Sequence, residues 1–148
     1  MATTGIELYN AKGEKVNIYF DMKERKLVMD RTESGLIEFG KLAVPHDIEK
    51  NYSDLHQGVG NTPFRVFNSI NYKNDFALGT WAPLSLCEGK TYHIDIFVDK
   101  CSVEIFVDGG RIAMTNLVFP TTPYTSVKFY NKGASSNFRN IKISELSL

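Results

Sequence analysis

The sequence predicts an all-β domain, an antiparallel β-sandwich of the jelly-roll or concanavalin-like kind, and three observations carry that prediction. Apolar residues recur with a period of two, as where Val16, Ile18 and Phe20 alternate with Asn17, Tyr19 and Asp21, the pattern of a half-buried strand rather than a helix. Short apolar runs are punctuated by Gly, Asn, Asp and Pro at close intervals, as in sandwiches. The 148 residues suffice for one domain that buries roughly two-thirds of the surface its unfolded chain would expose. No internal repeat and no linker divides the chain, so residues 1–148 are expected to form a single sandwich.

Element by element, Ile6 and Leu8 alternate with Glu7 and Tyr9 ahead of a turn at Asn10-Ala11-Lys12-Gly13. The strand through Val16, Ile18 and Phe20 follows, and Lys23-Glu24-Arg25-Lys26 reads as a solvated hairpin tip leading into Leu27-Val28-Met29. From about Lys41 to Pro83 the alternation weakens. There Asp47 caps a stretch with Ile48, Tyr52 and Leu55 at helical spacing, predicting one short helix, and residues 65–72 read as a further strand.

The best-specified unit is the hairpin of residues 92–108. A two-residue turn at Lys100-Cys101 pairs Val98 with Val103, Ile96 with Ile105 and Ile94 with Val107, placing six β-branched side chains on one face. A one-residue slip would scatter that stripe. The opposite face carries His93, Asp95, Phe97, Glu104, Phe106 and Asp108. Asp108-Gly109-Gly110 makes the next turn because glycine tolerates positive φ. A strand from Arg111 to Phe119 ends at Pro120, and two more are expected around Val127–Tyr130 and Ile141–Leu146.

Composition excludes some classes of function. With 17 Lys+Arg against 17 Asp+Glu the formal net charge is zero, unlike the basic footprint of a nucleic-acid binder. No apolar run approaches the roughly 20 residues of a membrane span, and Met1-Ala2-Thr3-Thr4-Gly5 does not resemble a signal peptide. Cys87 and Cys101 fall near opposite ends of one predicted strand, about 20 Å apart, too far for a disulfide, which needs Cα atoms within about 7 Å. With no histidine at ligand spacing they give no zinc signature either. No metal or cofactor is expected.

Three kinds of residue could carry chemistry. His46, His56 and His93 occupy no recognisable triad context and read as surface or packing histidines. Glu104, Asp95 and Asp108 share the hairpin's polar face, and paired carboxylates could serve a glycosidase. The favoured reading is that Glu104 pairs with Arg31 or Arg111 and fastens two sheets together. Asn51-Tyr52-Ser53 fits a glycosylation acceptor. Among the aromatics of the middle segment (Tyr52, Phe64, Phe67, Tyr72, Phe76 and Trp81), Trp81 and Tyr72 are the sugar-binding candidates, because each joins an apolar body to a polar tip.

One family matches these motifs. The run Ile94 to Gly110, with its Asp-Lys-Cys-Ser-Val-Glu-Ile-Phe centre, resembles the signature of the C-terminal β-sandwich of glycoside hydrolase family 32, the invertases, levanases, inulinases and other fructosidases. Phe119-Pro120 matches the Phe-Pro or Tyr-Pro that ends the family's next strand. Asp30-Arg31-Thr32-Glu33-Ser34-Gly35 is similar to its Asp-Arg-Ser/Thr-x-Ser-Gly element, and Ala82-Pro83-Leu84 matches the stretch before the signature. Together these cover roughly two-thirds of the chain.

The resemblance implies a non-catalytic accessory domain that stabilises the catalytic propeller of a fructan- or sucrose-hydrolysing enzyme. The alternative it leaves open is a module that binds fructan or fructose through Trp81, Tyr72, Arg31 and Glu104. The family's catalytic elements have no counterpart. Asn74-Asp75-Phe76 lacks the proline of Asn-Asp-Pro, no Arg-Asp-Pro occurs, and Cys87-Glu88 reverses Glu-Cys. The chain is therefore expected to be a piece of a larger, secreted or periplasmic enzyme and not an enzyme by itself. The family's sandwich has strands before the position matched by Met1. An edge left open there predicts self-association into a homo-oligomer.

Overall fold

The computed structural model describes residues 2–37, 76 and 79–147. Two antiparallel sheets face each other across one core. The larger contains β1 (Thr3–Tyr9), β2 (Lys15–Asp21), β3 (Lys26–Asp30), β4 (Thr80–Pro83) and β8 (Ser126–Lys132), in the order β4-β3-β2-β1-β8. The smaller contains β5 (Ile94–Val98), β6 (Ser102–Val107) and β7 (Ile112–Leu117), in that order. The predicted helix at residues 47–55, the predicted strand at 65–72, His46, His56, Tyr72 and the acceptor Asn51 all lie outside the described residues.

Local chemistry explains the turns. Between β1 and β2 the Asn10 side chain is an internal clamp: its Oδ1 accepts from the Lys12 and Glu14 amides at 3.0 and 3.1 Å. Between β2 and β3, Asp21 Oδ1 accepts from the Lys23 and Glu24 amides at 3.1 and 2.9 Å, which makes the charged segment the expected hairpin tip.

The β5–β6 hairpin has the register read from the sequence, with Ile94 opposite Val107, Ile96 opposite Ile105 and Val98 opposite Val103. The Asp99 amide closes the two-residue turn onto the Ser102 carbonyl at 2.9 Å. Asp108, Gly109 and Gly110 all take positive φ at the following turn, as expected. Cys87 and Cys101 are both free and exposed.

The core is what the alternation buries. Leu8, Val16, Ile18, Leu27 and Met29 of the larger sheet meet Val103, Ile105, Val107 and Met114 of the smaller, closed by Leu84 and Val118. At roughly 1.5–3 kcal/mol per fully buried aliphatic side chain, this burial is the main force holding the sheets together. Within the core a buried polar residue bridges the layers: Asn116, on the inner face of β7, donates to Thr80 Oγ1 on β4 at 2.6 Å.

Two expectations fail. Residues 141–146 join no strand ladder among the described residues, and Ile143 and Leu146 are 76% and 78% exposed. Alternation alone does not make a strand, because the backbone groups need a ladder partner, and among the described residues none pairs with this segment. Nor is the first strand an open edge, since β1 is paired along its length with β2 on one side and β8 on the other. Among the described residues the edges of the larger sheet are β4 and β8.

Candidate functional site

The outer face of the larger sheet follows from register. Leu27 and Met29 point into the core, so Val28 between them points out, and with it every residue aligned across the strands. Trp81 opposes Val28, Val28 opposes Tyr19, Tyr19 opposes Gly5, and Gly5 opposes Tyr130. The result is one row, Trp81-Val28-Tyr19-Gly5-Tyr130, that crosses all five strands over about 19 Å.

Glycine inside a strand weakens it unless something must come close. Here something does. A Cβ on Gly5 would lie 2.7 Å from Tyr19 Cβ and 2.9 Å from Tyr130 Oη. The space that Gly5 leaves lets the Tyr130 hydroxyl reach over it to donate to Asn17 Oδ1 at 2.6 Å.

Beside this row lies a shallow hollow of about 90 Å³ lined by Glu7, Lys15, Asn17, Asp30, Thr32 and Glu33. Lys15 and Glu33 form an ion pair at 3.3 Å. Asp30 Oδ1 accepts from the Thr32 amide and hydroxyl at 2.9 and 2.7 Å. Burial raises the Tyr19 pKa, with Asp30 and Asp21 adding to the effect. Burial likewise raises that of Tyr130 against the opposing hydrogen bond to Asn17. Both phenols therefore stay protonated donors at neutral pH. At the end of the row Trp81 is 61% exposed, with Lys26 Nζ 5.3 Å from its ring centroid.

Arg31 belongs to a different place, the seam between the sheets. Its Nη1 donates to the Leu117 carbonyl at 2.8 Å, and its guanidinium lies 4.2 Å from the Phe76 ring centroid. Burial lowers its pKa, and its buried Nε has no hydrogen-bond partner among the described residues.

The rest of the Asp30–Gly35 element binds the same seam. The Ser34 carbonyl accepts from the Tyr124 hydroxyl, and the Leu36 amide donates to the Phe119 carbonyl at 2.9 Å. Gly35, at φ 138°, lies where a Cβ would strike the Phe119 backbone. From the other side, Glu14 accepts from the Thr121 amide and hydroxyl, each at 2.8 Å. Two motifs distant in sequence, Asp30–Gly35 and Phe119-Pro120, thus meet in space and lock the sheets.

Glu104 sits on the outer face of the smaller sheet, opposite Phe97 and Thr115. It accepts from Thr115 Oγ1 at 3.3 Å and does not make the expected ion pair with Arg31 or Arg111. Arg31 is turned to a backbone carbonyl instead, and Glu104 already has a neighbouring hydroxyl on its own sheet. Beside it His93 Nε2 lies 3.1 Å from Asp95 Oδ1 on the exposed surface, and Phe97 packs edge-on against Phe106 with centroids 5.8 Å apart.

Of the four residues singled out in the sequence, Trp81 and Glu104 therefore lie on opposite outer faces and Arg31 at the seam between the sheets. Tyr72 is outside the described residues. Among the described residues no cluster of His, Cys, Asp and Glu is arranged to hold a metal. Sequence reasoning passed over Tyr19, Asn17 and Tyr130, which counted only as the polar half of their strands. The signal that could have found them is Gly5, a strand-interior glycine that needs large neighbours above it.

Comparison with known proteins agrees with this architecture. Levanbiose-producing levanase of Bacillus subtilis (strain 168) is 35% identical over 95 residues, covering 64% of this chain and 17% of the levanase. The crystal structure of an exo-inulinase from Aspergillus awamori superimposes with a TM-score of 0.55 at 22% identity, covering 88% of this chain and 19% of the inulinase. That likeness shows the sandwich fold, and the chain spans under a fifth of either relative. The family model described as the C-terminal region of glycosyl hydrolases family 32 matches residues 1–145. The chain therefore belongs to the C-terminal β-sandwich domains of glycosyl hydrolase family 32.

Proposed function

We propose that this chain is the non-catalytic accessory domain of a fructosidase-type glycoside hydrolase and that it packs against and stabilises the enzyme's catalytic propeller. The observation that carries this reading is the extent of the match. The C-terminal family model covers residues 1–145, while the chain spans 17% of the levanase and 19% of the inulinase. The catalytic body of such an enzyme would occupy the remaining length. The seam supports a scaffolding role, because its most distinctive residues, Arg31, Ser34, Gly35 and Phe119, fasten one sheet to the other. The outer face of the smaller sheet also exposes Phe97, at 45%, packed against Phe106, and Leu117, at 51%, farther along the same face, apolar surface of the kind that a second domain covers.

The test mixes this chain with the propeller of its parent enzyme, produced separately. A one-to-one complex by sedimentation, with a raised unfolding temperature for the propeller, is the expected result. Release of fructose from sucrose, levan or inulin by this chain alone would overturn the reading, as would failure to associate. A second reading, a module that binds fructan, is favoured by the exposure of Trp81 at the end of an aromatic row rather than in the core.

A further inference from the structure

We propose that the outer face of the larger sheet is a binding platform for a neutral sugar chain. Trp81 and Tyr19 serve as its stacking surfaces, and Asn17, Asp30 and Glu7 bind the sugar hydroxyls. The inference rests on the sugar-binding reading of Trp81 and goes further by assigning a site, a direction and a class of ligand.

Three features of the face support it. Cover for Gly5 accounts for Tyr130, whose hydroxyl is spent on Asn17. It does not account for Trp81, which lies three strands from Gly5 in the same row and keeps most of its surface open. Nor does it account for the Tyr19 hydroxyl, which makes no hydrogen bond among the described residues.

Next to these rings the hollow supplies an amide and carboxylates, from Asn17, Asp30 and Glu7. These groups bind hydroxyls through their oxygens and, for the amide, through its NH₂. Aromatic rings meanwhile cover the apolar faces of a sugar. The charges favour an uncharged ligand. Lys15 in the hollow is paired with Glu33, and the remaining charged lining, Glu7 and Asp30, is acidic, which disfavours a phosphate or uronate. The row of about 19 Å runs across the strands, which suits several sugar units in line rather than a single ring.

Trp81 is the chain's one tryptophan, so intrinsic fluorescence reads the site directly. The full chain is titrated with short inulin and levan oligosaccharides, with a dextran oligosaccharide as a glucan comparator. A saturable change in emission with at least one of them is expected. By calorimetry with the same sugar, Trp81→Ala and Tyr19→Ala should each weaken binding about tenfold or more. Tyr19→Phe, which keeps the ring, should lose less, and Phe97→Ala on the opposite face should bind as the parent does. Circular dichroism establishes that each variant is folded.

If the unaltered chain binds none of these sugars, both this assignment and the sugar-binding reading fall. If it binds one but Trp81→Ala and Tyr19→Ala bind equally well, the sugar-binding reading stands and the site lies elsewhere. If Trp81 emission responds to the separately produced propeller and to no sugar, the face is a domain interface and the proposal is overturned.

Discussion

The two outer faces of this sandwich arise from the same alternation of residues, yet they display different chemistry. On the larger sheet the outward aromatics are Tyr9, Tyr19, Tyr130 and Trp81, each with a polar tip, set among an amide and carboxylates. On the smaller sheet they are Phe97 and Phe106, packed edge-on against each other. The polar groups there satisfy one another, His93 with Asp95 and Glu104 with Thr115. An aromatic residue at the surface is therefore no guide to function by itself. What separates the faces is the kind of ring, tipped with a hydroxyl or an indole N–H on the larger sheet and wholly apolar on the smaller.

The largest effect should come from the element the faces share. Ile105 is fully buried at the centre of the core, and Ile105→Ala should cost about 2–5 kcal/mol through lost burial and a residual cavity. Urea denaturation measures it. Hydrogen exchange should show both sheets loosened alike, and a loss confined to one sheet would break the picture of a common core.

Gly5→Val sharpens the contrast between faces. The added side chain meets Tyr19 and Tyr130, so about 1–3 kcal/mol of stability should be lost to overpacking. The Tyr130 hydroxyl should leave Asn17, while exchange protection in β5–β7 stays close to that of the parent chain.

A narrower effect belongs to the seam. Burial, with Glu14 nearby and against the hydrogen bond to Ser34, raises the Tyr124 phenol from 10.0 to about 12. The folded state favours the neutral phenol, so its contribution to stability is whole below pH 10 and is lost as pH rises through about 12. Tyr124→Phe should make the decline in stability over that range shallower, as read by denaturation at a series of pH values.

The smallest effects come from the exposed rings. Trp81→Ala and Phe97→Ala should each change stability by no more than about 0.5 kcal/mol. Their value is as a pair. The first should weaken sugar binding about tenfold or more, and the second should weaken association with the separately produced propeller. The opposite assignment would exchange the roles of the two faces.

Most of the fold was legible because its main determinant is local. The register of β5 and β6 follows from six β-branched residues that share one face only one way, and the turn at Asp108-Gly109-Gly110 follows from glycine's backbone freedom. Residues 141–146 show the limit of such reading: Ile141 and Ile143 alternate as in β2 before the phase breaks at Glu145-Leu146, and a strand also needs a neighbour that no local pattern supplies. Glu104 shows a second limit. Its charge called for an arginine, and a hydroxyl two strands' side chains could share was closer.

The candidate site was less legible for the same reason. Trp81 stood out because large aromatics are conspicuous in any sequence. Tyr19, Asn17 and Tyr130 did not, because each is ordinary within its own strand and their proximity depends on the order β4-β3-β2-β1-β8.

By itself, then, the sequence determined the all-β class, the hairpin register, the free cysteines and the family, all of which are written in residue type and short spacing. Only the tertiary structure decided that Trp81 and Glu104 face opposite ways, that Arg31 serves the seam, and that Gly5 lies beneath two tyrosines. Those facts depend on which strands become neighbours, and that choice is made by burial of the whole core rather than by any one segment.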